Sequence, residues 1–283
     1  VNKFFRTKFF PLISSLLRHT LILAVVGISL FPLYLMMTLG GKTNAQFFNE
    51  AWTFTRPFHP HNLIAGFEMV INYVSNIIFV GFVSVLLTYI CALGGAFFFA
   101  RNNFKWKKPL WYLFIVFMLV PATVNLVPLL FLLEDMGLMN SLWALILVNV
   151  AIGQLFEIYV LKNFIEDIPE SYFEMAELDN AGIFSQLVHL VIPRCSGILI
   201  SLGILQFISI CNDYVIPLTV IKDDCLLPIS VGLAKLEAAQ FQEWGPLMVA
   251  YGIASLPLLI IFVFAIRLVI NSFSSSGFFN EPE

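Results

Sequence analysis

Carboxylates dominate the chemistry open to this chain. Six of them, Glu166, Asp167, Glu170, Glu174, Glu177 and Asp179, crowd a polar stretch between long apolar runs. An acidic loop facing the cytoplasm is unusual, so a docking role is worth considering for this stretch. Two further carboxylates, Glu157 and Asp213, stand inside apolar runs. A charge at that depth is costly and marks a functional candidate. Glu157 can reach out toward Lys162 at a membrane interface or belong to a pathway. Asp213, beside Asn212, can secure a helix end, bridge helices or touch a solute.

The remaining reactive types form weaker constellations. Gly41-Lys42-Thr43 resembles the end of a phosphate-binding loop, but the first glycine that such a loop needs is Met36 here, and no strand precedes it. No nucleotide site is therefore expected there. His59 and His61 lack a third ligand, so no metal site is expected. Cys91, Cys195, Cys211 and Cys225 stand far apart with no paired spacing and read as small hydrophobes. A net charge of −3 gives no electrostatic footprint for nucleic acid.

These groups must be carried by membrane helices. Apolar residues make up 59% of the 283 and charged ones 12%, with mean hydropathy +0.90; soluble domains run near 45–50% and about 25%. A crossing helix needs about 20 apolar residues. Six stretches qualify: 19–39, 73–97, 110–132, 142–161, 197–220 and 247–265. The first carries no small-residue cleavage site and is expected to be retained. Pro32, Pro121, Pro128, Pro217 and Pro257 fall inside spans and are expected to mark kinks. Gly94 and Gly95 beside Ala92 and Ala96 are expected to let helices approach closely.

Eleven of the fifteen Lys and Arg fall on one side of this scheme: Lys3, Arg6, Lys8, Arg18, Arg101, Lys105, Lys107, Lys108, Lys162, Arg194 and Arg267. Lys42, Arg56, Lys222 and Lys235 take the other. Positive charge stays inside, so both termini are expected to be cytoplasmic. The external segment 40–72 holds Trp52, Phe54, Phe58 and the two histidines, as expected of chain lying along the interface.

The acidic segment 162–196 is the one sizeable cytoplasmic loop. Asp167-Ile168-Pro169-Glu170 predicts a helix start, with Asp167 capping and Glu170 bonding back. The helix should run to Leu178 and stop at Asn180-Ala181-Gly182, where Asn and Gly tolerate positive φ. A second helix is expected over 184–192, and Pro193 should open the fifth span.

Here the chain resembles the permeases of binding-protein-dependent ABC importers. Their cytoplasmic loop reads Glu-Ala-Ala, with Gly six residues after the Glu and Pro nineteen after it. Glu174, Ala176 and Pro193 fall on that spacing, while Met175 replaces the middle Ala and Asn180 the Gly. The resemblance extends over nearly the whole chain and points to the MalG-like, carbohydrate branch. Phe99-Ala100-Arg101 with Phe104-Lys105, Val120-Pro121, the run from Leu138 to Ala144, Asn212-Asp213, Pro217-Leu218 and Trp244-Gly245 all match.

What the resemblance implies is an all-α integral membrane protein of type I importer fold in the bacterial inner membrane, a single transmembrane domain over 1–283. It implies a partner permease, MalF-like or else a second copy, two cytoplasmic ATPase subunits that bind ATP and Mg, and an external solute-binding protein. The chain would be no enzyme and hold no cofactor. It would couple to the ATPase through Glu174, Met175, Ala176, Asp179, Asn180, Ala181, Gly182 and Pro193, with Glu174 paired to an ATPase arginine. Asn212 and Asp213 are candidates for the solute pathway. The external loop 221–245, with Asp223, Asp224, Glu237, Gln240 and Gln242, is the candidate contact for the binding protein. A secondary transporter or membrane-embedded enzyme without an ATPase is the alternative, and the lack of paired intramembrane carboxylates speaks against it.

Overall fold

The structure is a computed structural model and describes residues 2–54, 56–239 and 243–275. All regular structure among the described residues is helical. In chain order the helices are α1 (Asn2–Gly40), α2 (Asn44–Asn49), α3 (His61–Arg101), α4 (Lys107–Met118), α5 (Leu126–Asp135), α6 (Leu142–Glu166), α7 (Glu170–Leu178), α8 (Ile183–Gln186), α9 (Ile192–Arg194), α10 (Ser196–Asn212), α11 (Val215–Val220), α12 (Ile229–Ala239) and α13 (Trp244–Ser275).

Four described segments are long and apolar enough to cross a membrane: Ser15–Gly40, His61–Arg101, Leu142–Glu166 and Trp244–Phe264. Ser196–Asn212 follows Ile183–Arg194 at 82°, and only if the bent pair is one span does it count as a fifth. The expected third span is divided. Pro121 has no N–H to extend the ladder, so α4 stops after 12 residues, a 3-10 turn over Ala122–Asn125 follows, and α5 adds 10. The expected fifth span breaks likewise at Asp213-Tyr214, between α10 and α11. Pro32 and Pro257, by contrast, lie within unbroken helices.

The chain divides into two compact units. One comprises Val1–Met69 with Leu236–Ala254. Here Gly40 and Gly66 admit Val249 so closely that a Cβ on either would come within 2.7 Å of that side chain. Asn62 donates to the carbonyls of Gly40 and Lys42 at 2.9 and 3.0 Å. Gly41-Lys42-Thr43 is a scaffold. A Cβ on Gly41 would strike the Phe58 ring, and Thr43 caps α2 reciprocally with Gln46. The Lys42 ammonium is 2% exposed and donates to the carbonyls of Glu50, Ala51 and Thr53 at 2.5, 3.4 and 2.6 Å. Burial lowers its pKa.

The other unit comprises Val70–Lys235 with Ser255–Glu283. Its core gathers Ala92, Ala96 and Phe97 of α3, Leu161 and Ile165 of α6, Phe173 of α7, and Cys195 and Leu199 at the start of α10. Cys195 and Cys211 are buried free thiols, and Cys91 and Cys225 are exposed ones. Of the glycine pair, only Gly95 packs closely, since a Cβ on it would come within 2.8 Å of Ile158; Gly94 faces open space.

Candidate functional site

The polar hairpin of α7, α8 and α9 is built from the chain outward. Helix α7 starts at Glu170, but not through the expected cap. Asp167 closes α6 instead, Pro169 precedes the first turn without a side-chain bond, and Glu170 turns away to Arg101. Both guanidinium nitrogens of Arg101 meet the Glu170 carboxylate at 2.5 Å. These bonds hold the Glu170 carboxyl below the usual carboxylate range. The same guanidinium lies 3.8 Å over the ring of Phe173, which is 1% exposed and packs beside Phe97. Arg194 stacks in the same manner on Tyr172, at 3.6 Å.

At its other end α7 closes as expected. Asn180 adopts φ 54°, its N–H reaches the Glu177 carbonyl at 2.9 Å, and the Ala181 N–H reaches that of Ala176 at 2.8 Å. This is the paired closure in which a left-handed residue ends a helix. Gly182 stands differently from expectation. Its φ is −67°, extended backbone that any residue adopts, and it precedes α8. The Gln186 side chain donates to the Ala181 carbonyl at 3.0 Å and stiffens the turn. The second helix is also not uniform. After α8 it widens into a π turn over Leu187–Val191, and Pro193 lies in the short α9 ahead of the bend at Cys195.

The outer face of this hairpin is a patch of mixed chemistry. Glu174, Glu177 and Asp179 are exposed, and no cation among the described residues pairs with Glu174. Between these carboxylates stand Met175 at 62% exposure, Leu178 at 83% and Phe184 at 79%. Large apolar side chains exposed among carboxylates make this face a candidate interaction site.

The intramembrane candidates resolve differently. Glu157 does not reach Lys162. It is 2% exposed with both oxygens unpartnered, while Lys162 pairs with Glu166 at 2.5 Å. Asp213 serves the break between α10 and α11: its carboxylate accepts from the Ile216 N–H at 3.4 Å, and its carbonyl from the Ser230 hydroxyl at 2.6 Å. Asn212 donates to the Ile208 carbonyl at 2.8 Å.

In the segment 221–245, expected from the sequence to be external, Asp223 accepts from the Cys225 N–H at 3.0 Å, and Asp224 pairs with Lys235. The side-chain oxygen of Asn140 accepts from the N–H groups of Lys222 and Asp223, both at 2.9 Å, and Asn76 donates to the carbonyls of Cys225 and Leu227. Glu237 accepts from the Tyr251 hydroxyl at 3.1 Å. Gln240 and Gln242 lie outside the described residues. Asn140 was legible only as part of a matching run, and Arg101 only as part of another and in the charge pattern; their partners lie 82 and 69 residues away.

Several long apolar helices joined through a polar helical hairpin with an exposed face define a multi-pass membrane protein. Residues 84–274 match the family of binding-protein-dependent transport system inner membrane components. The chain belongs to that family and is a multi-pass inner-membrane permease of the ABC type. It is similar to the probable ABC transporter permease protein YurM of Bacillus subtilis, 26% identical over 248 residues, covering 87% of this chain and 83% of that one. It is also similar to the melibiose/raffinose/stachyose import permease MelC of the same organism, 25% identical over 91% and 95% of the two chains. The diacetylchitobiose uptake permease DasC of Streptomyces coelicolor is 24% identical over 91% and 94%. Its fold is that of a chain in a bacterial ABC transporter involved in import of the acidic polysaccharide alginate, with TM-score 0.77 at 17% identity, covering 90% of this chain and 96% of that one.

Proposed function

We propose that this permease forms half of the pathway of an ATP-driven importer of sugars or oligosaccharides, and that residues 162–196 couple it to a cytoplasmic ATPase. The observation that carries the reading is Glu174: an exposed carboxylate with no cation of its own among the described residues, beside exposed Met175 and Leu178, on a helix fixed at both ends. Like-charged neighbours within a helix destabilise it slightly, so Glu174 serves a partner better than it serves α7. An ATPase arginine in a partly dry cleft supplies that partner. The nucleotide and its Mg ion stay with the ATPase.

The substrate class rests on relatives named for melibiose, raffinose, stachyose and diacetylchitobiose. In this reading α4 and α5 together make one crossing, which completes six spans with both termini cytoplasmic. A second permease, MalF-like or another copy of this chain, completes the pathway, and Asn212 and Asp213 lie along it. A binding protein docks outside on residues 221–245. The bonds from Asn140, Asn76 and Lys235 support that role, since they hold the external chain ready in shape.

Glu174→Ala tests the coupling surface. Breaking a buried pair costs about 3–5 kcal/mol. Co-purification of the ATPase with Glu174→Ala should therefore fall at normal membrane levels of permease, and uptake should fall with it, while Glu177→Ala does less. Wild-type ATPase recovery and uptake in Glu174→Ala would remove Glu174 from the interface.

A further inference from the structure

We infer that Arg101 is a positioning residue: by stacking on Phe173 and gripping Glu170, it locks the orientation of α7 to the end of α3, so that force on α7 moves α3 instead of swivelling the loop. The inference rests on the reading that α7 docks the ATPase, and it names a part that reading leaves unassigned.

The Arg194–Tyr172 stack also holds α7, from the α9 side; the ties of α7 to α3 are Arg101 and the Phe97–Phe173 ring contact. Helix α7 leaves α6 through only Asp167, Ile168 and Pro169. Its one fully buried side chain is Phe173, and a single apolar anchor fixes a position better than a rotation. Glu170 lies one turn before Phe173 on the same face, and Arg101 holds both. Two contacts on one face, both reached by one guanidinium, remove the rotational freedom that the anchor leaves. Arginine is suited to this because its planar fork meets a carboxylate bidentately while its face stacks on a ring; lysine can do neither. Arg101 is the last residue of α3, so the grip sits at the end of a long apolar helix. With Glu170 well exposed, the pair adds little to stability, and its value is directional.

The test uses the assembled transporter, with its ATPase and binding protein, in proteoliposomes. Permease level, ATPase co-purification, ATP hydrolysis and solute uptake are measured for Arg101→Lys, Glu170→Gln and the double variant. Coupling terms of about 0.5–2 kcal/mol correspond to roughly 2- to 30-fold, so uptake per ATP should fall within that range while ATPase recovery and hydrolysis persist. The double variant should lose no more than the worse single one, because both remove the same grip. If Arg101→Lys inserts poorly, Glu170→Gln, which changes only a charge on an exposed carboxyl, decides alone. Unchanged uptake per ATP, losses that simply add, or loss of the ATPase at normal permease levels would each overturn the inference. Failure of the docking reading is seen separately, as wild-type ATPase recovery in Glu174→Ala.

Discussion

Asn180 stands where the resembling loop carries glycine, and its backbone explains the tolerance. At φ 54° a side chain with a Cβ is strained, and asparagine is the residue besides glycine that visits this region routinely. Asn180→Gly should therefore leave melting and uptake of the purified permease near wild type. Asn180→Val should destabilise the α7–α8 turn by about 1–2 kcal/mol, read as a lower melting temperature and weaker ATPase recovery. That position was legible because its chemistry is local. The Arg101–Glu170 pair was not, since neither residue announces a partner so far along the chain, and local capping logic assigned Glu170 to Asp167 instead. Because the pair depresses the Glu170 carboxyl, its contribution is complete above the unfolded carboxylate value, about pH 4.3, and fades only as pH falls through the lower folded value. The ratio of uptake per ATP between wild type and Glu170→Gln should therefore be flat from about pH 5.5 to 8. A step near neutrality would mean that another group governs the grip.

At the scale of elements, α7 is anchored by one ring. Phe173→Ala opens a cavity in the core beside Phe97, and buried aromatic truncations cost about 3–5 kcal/mol. Thermal unfolding should show that loss, and Phe173→Leu should recover most of it. The boundaries of α7 could be read from sequence because proline, carboxylates and asparagine punctuate a polar stretch. Inside apolar runs the same punctuation is muted. Pro32 and Pro257 sit in continuous helices, whereas Pro121 divides its span, and all look alike within their neighbours. The π turn over Leu187–Val191 has no signature in its residue types; it appears only once Val191 and Cys195 are packed into the core.

On the scale of the whole molecule, the distribution of Lys and Arg predicts sidedness, and single cysteines check it. Replacements at Lys107 and Leu178 should react with impermeant thiol reagents only from the cytoplasmic side, and one at Trp52 only from outside, in a background lacking the exposed Cys91 and Cys225. Reaction at Leu178 from outside would invert the scheme. Hydropathy made the membrane class plain from composition alone, but it treats 110–132 as one continuous crossing. The interruption between α4 and α5 has its own consequence. Hydrocarbon offers no partner to a free carbonyl or N–H, so non-helical backbone at that depth must face protein or water. Water that reaches it exchanges hydrogen for deuterium. Among the described residues, amides around 119–125 should therefore label early in deuterated buffer, while those in the middle of α6 stay dark for far longer. The interruption at Pro121 would then serve as a built-in hydration gauge, brightening or fading as the transporter turns over.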